Sequence, residues 1–518
     1  MTTEMIDVVE LPDDPKTLKH FLAELVESLK EKDRRIAQLT AQVDGLKRRL
    51  FGARSERIDP GQLQLGLDAI PPAPAPEEPP PDQPAGGAAK PRSSSKHGHG
   101  RGRLPKNLPR VRVEHDPAPE DRVCQGCGSE LRRIGEEVTE QLEYEPASFM
   151  ILEHVRGKYA CKHCQENVVI GELPAQPIEK GLPGPGLLAH VLTSKYADHL
   201  PLYRLSQIFA RHGLELSRST LCDWVGESAS LLEPIVAEMR RQVLESMKIH
   251  TDDTPVPVQD ETQKRTKLGR LWVYIGDSEH EHTVFDYTPN RSREGPLRFL
   301  GTYSGYLQAD AYSGYDPAYA TERVIEVACW AHCRRGFFEA QSSDAVRSLT
   351  ALAFIRQLYG VEDLARGASA AERVRLRQQQ AQPVLERFRE WLTTQARVVL
   401  PRSPLGEAIS YALNQWQALQ RYLENGELEI DNNRAERALR CVVLGRKNWL
   451  FAGSDEGGRW AAIIFSLVAS CKHLRLDPYA YLRDVLKRLP SHSIRRIAEL
   501  TPKAWKETQE AQLLAHAA

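Results

Sequence analysis

The sequence predicts a multidomain chain of α and α/β class, and three observations predict it. Apolar residues recur at heptad spacing near the N-terminus, and two paired-cysteine knuckles follow a Pro/Gly-rich stretch. Beyond residue 244 the apolar period changes from helical spacing to strand alternation. At 518 residues the chain exceeds what a single hydrophobic core organises. Lys and Arg number 69 against 70 Asp and Glu, so affinity for nucleic acid must come from local basic patches. Met1–Pro15 is acidic and has neither a cationic segment nor an apolar core. The longest nearly apolar run, Trp460–Cys471, contains Ser466 and Ser470 and is too short to cross a bilayer. A cytoplasmic chain without a membrane partner is therefore expected, in which 9 cysteines read as thiols or metal ligands rather than disulfides.

Residues 16–58 come first. Leu22, Leu29, Ile36, Val43 and Leu50 stand at heptad positions, Leu18, Leu25, Leu39 and Leu46 interleave, and only Lys32 interrupts the seam. This predicts a coiled coil and a homo-oligomer; an amphipathic helix lying on a core is the alternative. Residues 59–112 are rich in Pro, Gly, Ala and Ser without a period and predict a disordered linker. Its C-terminal part carries 8 Lys or Arg between Lys90 and Arg112 and no acid, which suits a solvated linker or a flexible arm on phosphates equally.

Residues 113–180 contain Cys124, Cys127, Cys161 and Cys164. Four thiolates on two knuckles satisfy tetrahedral zinc and leave no open position for water, so one structural Zn²⁺ is expected; a redox motif would not need the second pair. Val138–Met150 and Ile151–Tyr159 read as strands of a hairpin between the knuckles.

Residues 181–243 read as helices at Leu187–Tyr196, Leu202–His212 and Ser219–Leu232, with a tight turn Gly213–Ser217 and Ser217 as cap. The pattern suggests a helix-turn-helix whose Lys195, Arg204, Arg211 and Arg218 meet a phosphate backbone, although a plain helical bundle gives nearly the same pattern. From 244 to 476 strands are expected at Met247–His250, Leu271–Ile275, His282–Tyr287, Gly305–Ala309 and Val324–Ala328, with a helix Arg293–Leu300 before the fourth. That order matches a ribonuclease H-like domain and also fits other α/β folds. The interval of about 337–428 is helical with Arg- and Gln-rich faces and reads as an insertion, serving as scaffold, oligomer contact or added DNA surface. Helices Gly457–His473 and Asp477–Leu489 follow, the latter opening a C-terminal helical segment 477–518 that ends in a frayed helix Lys503–Ala518.

Three acids carry the chemistry. Asp252 closes the first strand, since Pro255 is not expected to continue a central ladder; Asp310 ends the fourth; Glu436 enters a helix after Asp431-Asn432-Asn433. Clustered carboxylates on such a framework hold two Mg²⁺ ions for phosphodiester chemistry. Singly, each acid has a plainer role: Asp252 or Asp310 as a turn cap, Glu436 as a capping-box partner of Asn433. Alternation puts Asp252 and Asp253 on opposite faces, so only one joins a cluster, and the pattern does not say which.

The chain resembles the DDE transposases of the insertion sequence sixty-six family over nearly its whole length. The matching segments are Arg49–Arg57 after the zipper, the four-cysteine module, Lys195–Arg204, His250–Pro255, Cys329–His332, Asp431–Asn433 with Glu436, and Gly445–Phe451. The resemblance implies catalytic acids at Asp252, Asp310 and Glu436, binding two Mg²⁺ (or Mn²⁺). It implies hydrolysis of a phosphodiester at each transposon end, freeing a 3′-hydroxyl that attacks target DNA without a covalent protein intermediate. Partners would be double-stranded DNA and accessory proteins of the same element, in a bacterial cytoplasm. Arg334, Arg335, Arg437, Arg440, Arg446 and Lys447 are candidates to hold phosphates, and His332 is either a DNA contact or a core residue. Position 253, often Glu in the family, is Asp here. The competing functions are a catalytically inactive zinc-containing DNA-binding regulator and a general ribonuclease H-like nuclease.

Overall fold

A computed structural model describes residues 149–517 except 153–157, 161–167, 171–174, 180 and 261–264, together with residues 26–36 and scattered others between 14 and 43. The four cysteines 124, 127, 161 and 164, the linker 59–112 and most of the predicted 138–159 hairpin lie outside the described residues. The chain divides into a unit of residues 73–155 and a unit containing the rest. In the former only 149–152 are described; they are exposed and without regular structure.

In the larger unit the described residues from 16 to 43 are helical, and Val26, Leu29, Ile36, Leu39 and Val43 on that helix are exposed. Next comes a small antiparallel hairpin, β1 (Lys158–Ala160) against β2 (Val168–Ile170). It brackets the second cysteine pair, whereas the expected strand pairing lay between the two pairs.

Three helices follow: α1 (Pro185–Tyr196), α2 (Leu202–Arg211) and α3 (Arg218–Val243). Gly213 at φ +77 makes the turn before α3, and Ser217 caps it by accepting from the Thr220 amide at 3.0 Å. Helix α3 runs eleven residues past the expected end, through Pro234, because its inner face stays buried from Leu221 to Val243. A Cβ at Gly226 would sit 2.7 Å from the Trp460 ring, which shows how closely the chain packs here. These helices share one hydrophobic core with the sheet described next. Amphipathic spacing over 181–243 identifies a buried face but not its partner, which is the sheet.

The sheet holds β3 (Lys248–Asp260), β4 (Arg265–Ile275), β5 (Thr283–Thr288), β6 (Gly305–Gln308) and β7 (Val324–Val327), with α4 (Glu294–Leu300) between β5 and β6. Its spatial order is β5-β4-β3-β6-β7, the first three antiparallel, β6 and β7 parallel to β3. Strand β3 does not close at Asp252. It pairs with β4 to Asp260, through Pro255 and Pro257. Strand β6 covers only Lys248–His250, so the other side of β3 is open beyond that point. The Pro257 carbonyl accepts from Ala452 N on this open side, and Gln259 N donates to Ala452 O, each at 2.9 Å. The N–H missing from each proline therefore falls away from β4 and costs no ladder bond.

Helix α5 (Trp330–Ala340) leads into the insertion: α6 (Ala345–Leu364), α7 (Ala370–Leu376), one π-helical turn, α8 (Gln382–Ala396) and α9 (Pro404–Asn414). These helices have a hydrophobic core of their own, around Trp330, Phe354, Phe388 and Trp416. Arg377, 1% exposed, pairs with Glu362 at 2.7 Å and donates to the carbonyls of Tyr422, Asn425 and Leu428, so the charge is buried with its donors satisfied. The chain returns through α10 (Asn433–Trp449), α11 (Asp455–His473), α12 (Pro478–Arg488) and α13 (Pro502–Ala517). Ser466 and Ser470, the polar residues of the Trp460–Cys471 run, accept from the Phe285 and Thr283 amides at 2.8 and 2.9 Å. Helix α11 thus covers the outer edge of β5. Among the described residues no helix is long and apolar enough to cross a membrane.

Candidate active site

Three separate elements deliver the acids. The last parallel pair of β3 and β6 is His250 with Gln308. Asp252 and Asp310 each follow two residues after this pair, and the Asp310 charge acts on the Asp252 carboxyl. Glu436 lies in the first turn of α10, which packs on β3. Burial is the main cause that pushes the Asp252 carboxyl up to about 7, and the charges of Asp310, Asp253 and Glu436 push the same way. The Asp253 amide, 2.7 Å from Asp252 Oδ1, offsets part of this. Burial also raises Asp310, against the pull of His332 and Arg291.

Asp252 and Asp253 divide as alternation requires. The Asp253 side chain is 2% exposed and held by Arg270 at 2.9 Å and Arg291 at 2.8 Å. Glu436 faces His332 Nε2 at 3.7 Å and Arg335 at 3.8 Å, and its buried Oε1 has no hydrogen-bond partner. The helix is capped at Asn432, not Asn433. Asp310 lines a cavity of about 350 Å³ with Arg291, Tyr312, Ser313, His332 and Tyr411.

Among the described residues no three His, Cys, Asp or Glu side chains are closed into a metal-ligand cluster. The donor set nevertheless suits a divalent cation of the magnesium type. All three acids offer hard oxygen, Asp310 and Glu436 both repel charge on Asp252, and Glu436 Oε1 is an acceptor left without a donor.

The candidate DNA contacts fall into distinct groups. Arg437, Arg440 and Lys447 are exposed along one face of α10, beginning one residue after Glu436. Arg446, in contrast, turns inward and donates to the Pro255 carbonyl, and burial lowers its pKa. It braces β3 rather than standing free for a phosphate. Arg334 and Arg335 lie on α5 with His332, which comes within 3.7 Å of Glu436 and whose charge also acts on Asp310. Arg204, Arg211 and Arg218 are exposed on α2 and α3, but the exposed face of α3 continues with Asp223, Glu227 and Glu233, a poor match for a DNA groove. Lys195 is half-buried, its ammonium over the rings of Tyr196 and Trp449 at 5.3 and 6.0 Å.

Sequence reasoning missed Arg291. It follows β5 in a loop, bonds Asp253, reaches Asp310 at 3.6 Å and stacks over Tyr312 at 4.3 Å. No periodicity marks it, because all three partners are non-local.

Comparison with known proteins agrees with this architecture. Residues 180–460 match the family described as "Transposase IS66 family", and 121–165, spanning all four cysteines, match "zinc-finger binding domain of transposase IS66". Residues 38–113 match "Transposase C of IS166 homeodomain" and 466–503 the "IS66 C-terminal element". Two proteins of Sinorhizobium fredii (strain NBRC 101917 / NGR234), the uncharacterized y4hP and y4jD, are each 34% identical to this chain. The alignments cover 92% and 96% of this chain and 90% and 99% of theirs. With four successive segments matched in order and full-length relatives at this identity, the chain belongs to the IS66 family of transposases.

Proposed function

We propose that the protein cuts DNA at the ends of its element and joins the freed 3′-hydroxyl to target DNA, with Asp252, Asp310 and Glu436 as catalytic residues. The observation that carries the reading is that the charges of Asp310 and Glu436 both act on the buried Asp252 carboxyl, with Asp252 and Asp310 each two residues beyond the last β3–β6 pair. The sheet order, with three antiparallel strands and two more parallel to the first, supports a ribonuclease H-like domain over residues 244–476 with its insertion at about 337–428.

The three acids would hold magnesium or manganese, which when bound polarises the phosphodiester and offsets charge building on it. For that role Asp252 must be ionised, and its burial opposes this until a cation compensates. Arg291 and His332 offset the charge on Asp310, and His332 and Arg335 that on Glu436, so part of the repulsion around Asp252 is relieved. Arg437, Arg440 and Lys447 extend this site along α10 and fit a phosphate backbone leading to it. The exposed heptad residues Leu29, Ile36 and Val43 support self-association through the N-terminal helix. The cysteine module would carry a structural zinc, and residues 181–243, 477–518 and the linker 59–112 would serve as supporting and connecting parts. Action on DNA in the bacterial cytoplasm, with accessory proteins of the element, fits the family.

The test is a Mg²⁺-dependent cleavage and strand-transfer assay on DNA carrying the element's ends, comparing wild type with Asp252→Asn, Asp310→Asn and Glu436→Gln. Each variant should lose both steps while still binding DNA. Wild-type activity in all three removes the site assignment. Binding without cleavage in the wild type would favour a regulator, and cutting without end preference a general nuclease.

A further inference from the structure

We infer that Asn432 is the positioning residue that fixes Glu436 relative to Asp252, an inference resting on the active-site reading above. Asn432 is fully buried, and every polar group on it is engaged. Its Nδ2 donates to the Thr251 carbonyl at 2.8 Å, next to Asp252, while Oδ1 lies 3.1 Å from His250 Nδ1. Its backbone N–H donates to Cys329 Sγ at 3.1 Å, at the start of the helix carrying His332. Its carbonyl accepts from the amide of Glu436 itself at 3.3 Å. One side chain thus joins the strand bearing the first acid to the helical turn bearing the third.

The segment leading to it is tied down as well. Gln308 Nε2, at the end of the strand preceding Asp310, donates to the carbonyls of Glu429 at 2.6 Å and Asp431 at 3.1 Å. The Trp330 amide donates to Ile430 O at 3.1 Å. Residues 429–432 therefore lie across both strands that deliver aspartates and the helix that delivers His332. Only an amide side chain offers a donor to Thr251 and an acceptor to His250 side by side. Aspartate lacks the donor, and alanine lacks both. The Asn432 side chain bonds neither carboxyl, so it acts by geometry, as residues behind a metal site do.

The experiment uses the full-length, zinc-loaded protein and compares Asn432→Ala, Asn432→Asp and Gln308→Met with wild type. Expected is a ten- to hundredfold fall in Mg²⁺-dependent turnover at saturating DNA, with the Kd for end DNA within twofold of wild type. Mn²⁺ binding without DNA, read from the electron paramagnetic resonance of the free ion, should weaken about tenfold. Combining Asn432→Ala with Gln308→Met should cost less than the two separately, since both hold one segment. If Asn432→Ala does not fold, Asn432→Asp decides, because it keeps the acceptor towards His250. A folded variant with turnover and Mn²⁺ affinity within twofold of wild type overturns the inference. If Asp252→Asn is inactive in the same assay, that failure is the inference's alone; an active Asp252→Asn overturns the active-site reading with it.

Discussion

Replacing Asp252 by asparagine is expected to stabilise the protein without divalent metal while abolishing cleavage. In the folded chain the carboxyl keeps its proton up to about 7, against 3.8 for a free aspartate. A raised acid pKa costs stability as follows: nothing is lost below 3.8, the loss grows as pH rises between the two values, and it is constant above about 7. Conversion of the whole shift gives a ceiling of about 4 kcal/mol at neutral pH. Asp252 retains partial contact with solvent, and relaxation discounts that ceiling to roughly 1–2 kcal/mol. At about 2–4 °C per kcal/mol for mid-sized domains, and less for a larger unit, Tm of the asparagine variant should exceed wild type by roughly 2–5 °C at pH 8. The assay is thermal unfolding of zinc-loaded protein in magnesium-free buffer at pH 5 and pH 8, the gain being smaller at pH 5. Added Mg²⁺ should raise Tm of the wild type and leave the variant unmoved. A variant no more stable than wild type at pH 8, or a difference independent of pH, refutes the reasoning.

Further outcomes follow from the same residues. Changing Arg437, Arg440 and Lys447 together to alanine should weaken DNA binding for all sequences alike and reduce the slope of log Kd against log salt by about 3, at roughly 0.9 per phosphate; an unchanged slope would exclude the α10 face. Arg446→Ala should instead lower Tm and leave the salt slope as it was, because its guanidinium is committed to β3. Cys124→Ser or Cys161→Ser should remove bound zinc, measured by mass spectrometry of the metal; zinc retained in either variant argues against a four-cysteine site. Ile36→Lys, at a heptad position, should reduce the oligomer mass seen by light scattering, and an unchanged mass would assign association elsewhere.

Local signals in the sequence suffice where one element decides the outcome. The helix after Asn433, the cap at Ser217 and the starts of β3, β5, β6 and β7 depend on nearest neighbours and lie within a residue of their expected positions, whereas β4 starts at Arg265, well before the expected Leu271. The expectations that failed needed knowledge of what lies alongside. Pro255 ends a strand only if both of its flanks are paired, and one flank of β3 is open there. Pro234 ends a helix only if the burial beyond it is worth less than one lost bond, and α3 buries Ile235, Val236, Met239 and Val243 past it. The charge of Lys195 on an amphipathic helix says nothing of the Tyr196 and Trp449 rings beneath its ammonium, the second of which comes from a helix far along the chain.

The candidate site divides along the same line. Alternation stated that Asp252 and Asp253 must part; two arginines, from β4 and from a loop, determine which one is neutralised. Of those, Arg270 lies in β4 one residue before the stretch where alternation predicts a strand, whereas Arg291 lies in a loop and meets Asp253 only because β5 runs beside β4. The same asymmetry applies to Asp431-Asn432-Asn433, which reads along the chain as a helix entry and nothing more. Its middle residue acquires a second partner only when a strand 181 residues earlier is laid against it. Residues that hold a site together from behind thus escape a one-dimensional reading for a physical reason. Their partners are set by the register of the sheet, and that register is the product of every hydrophobic face packing at once.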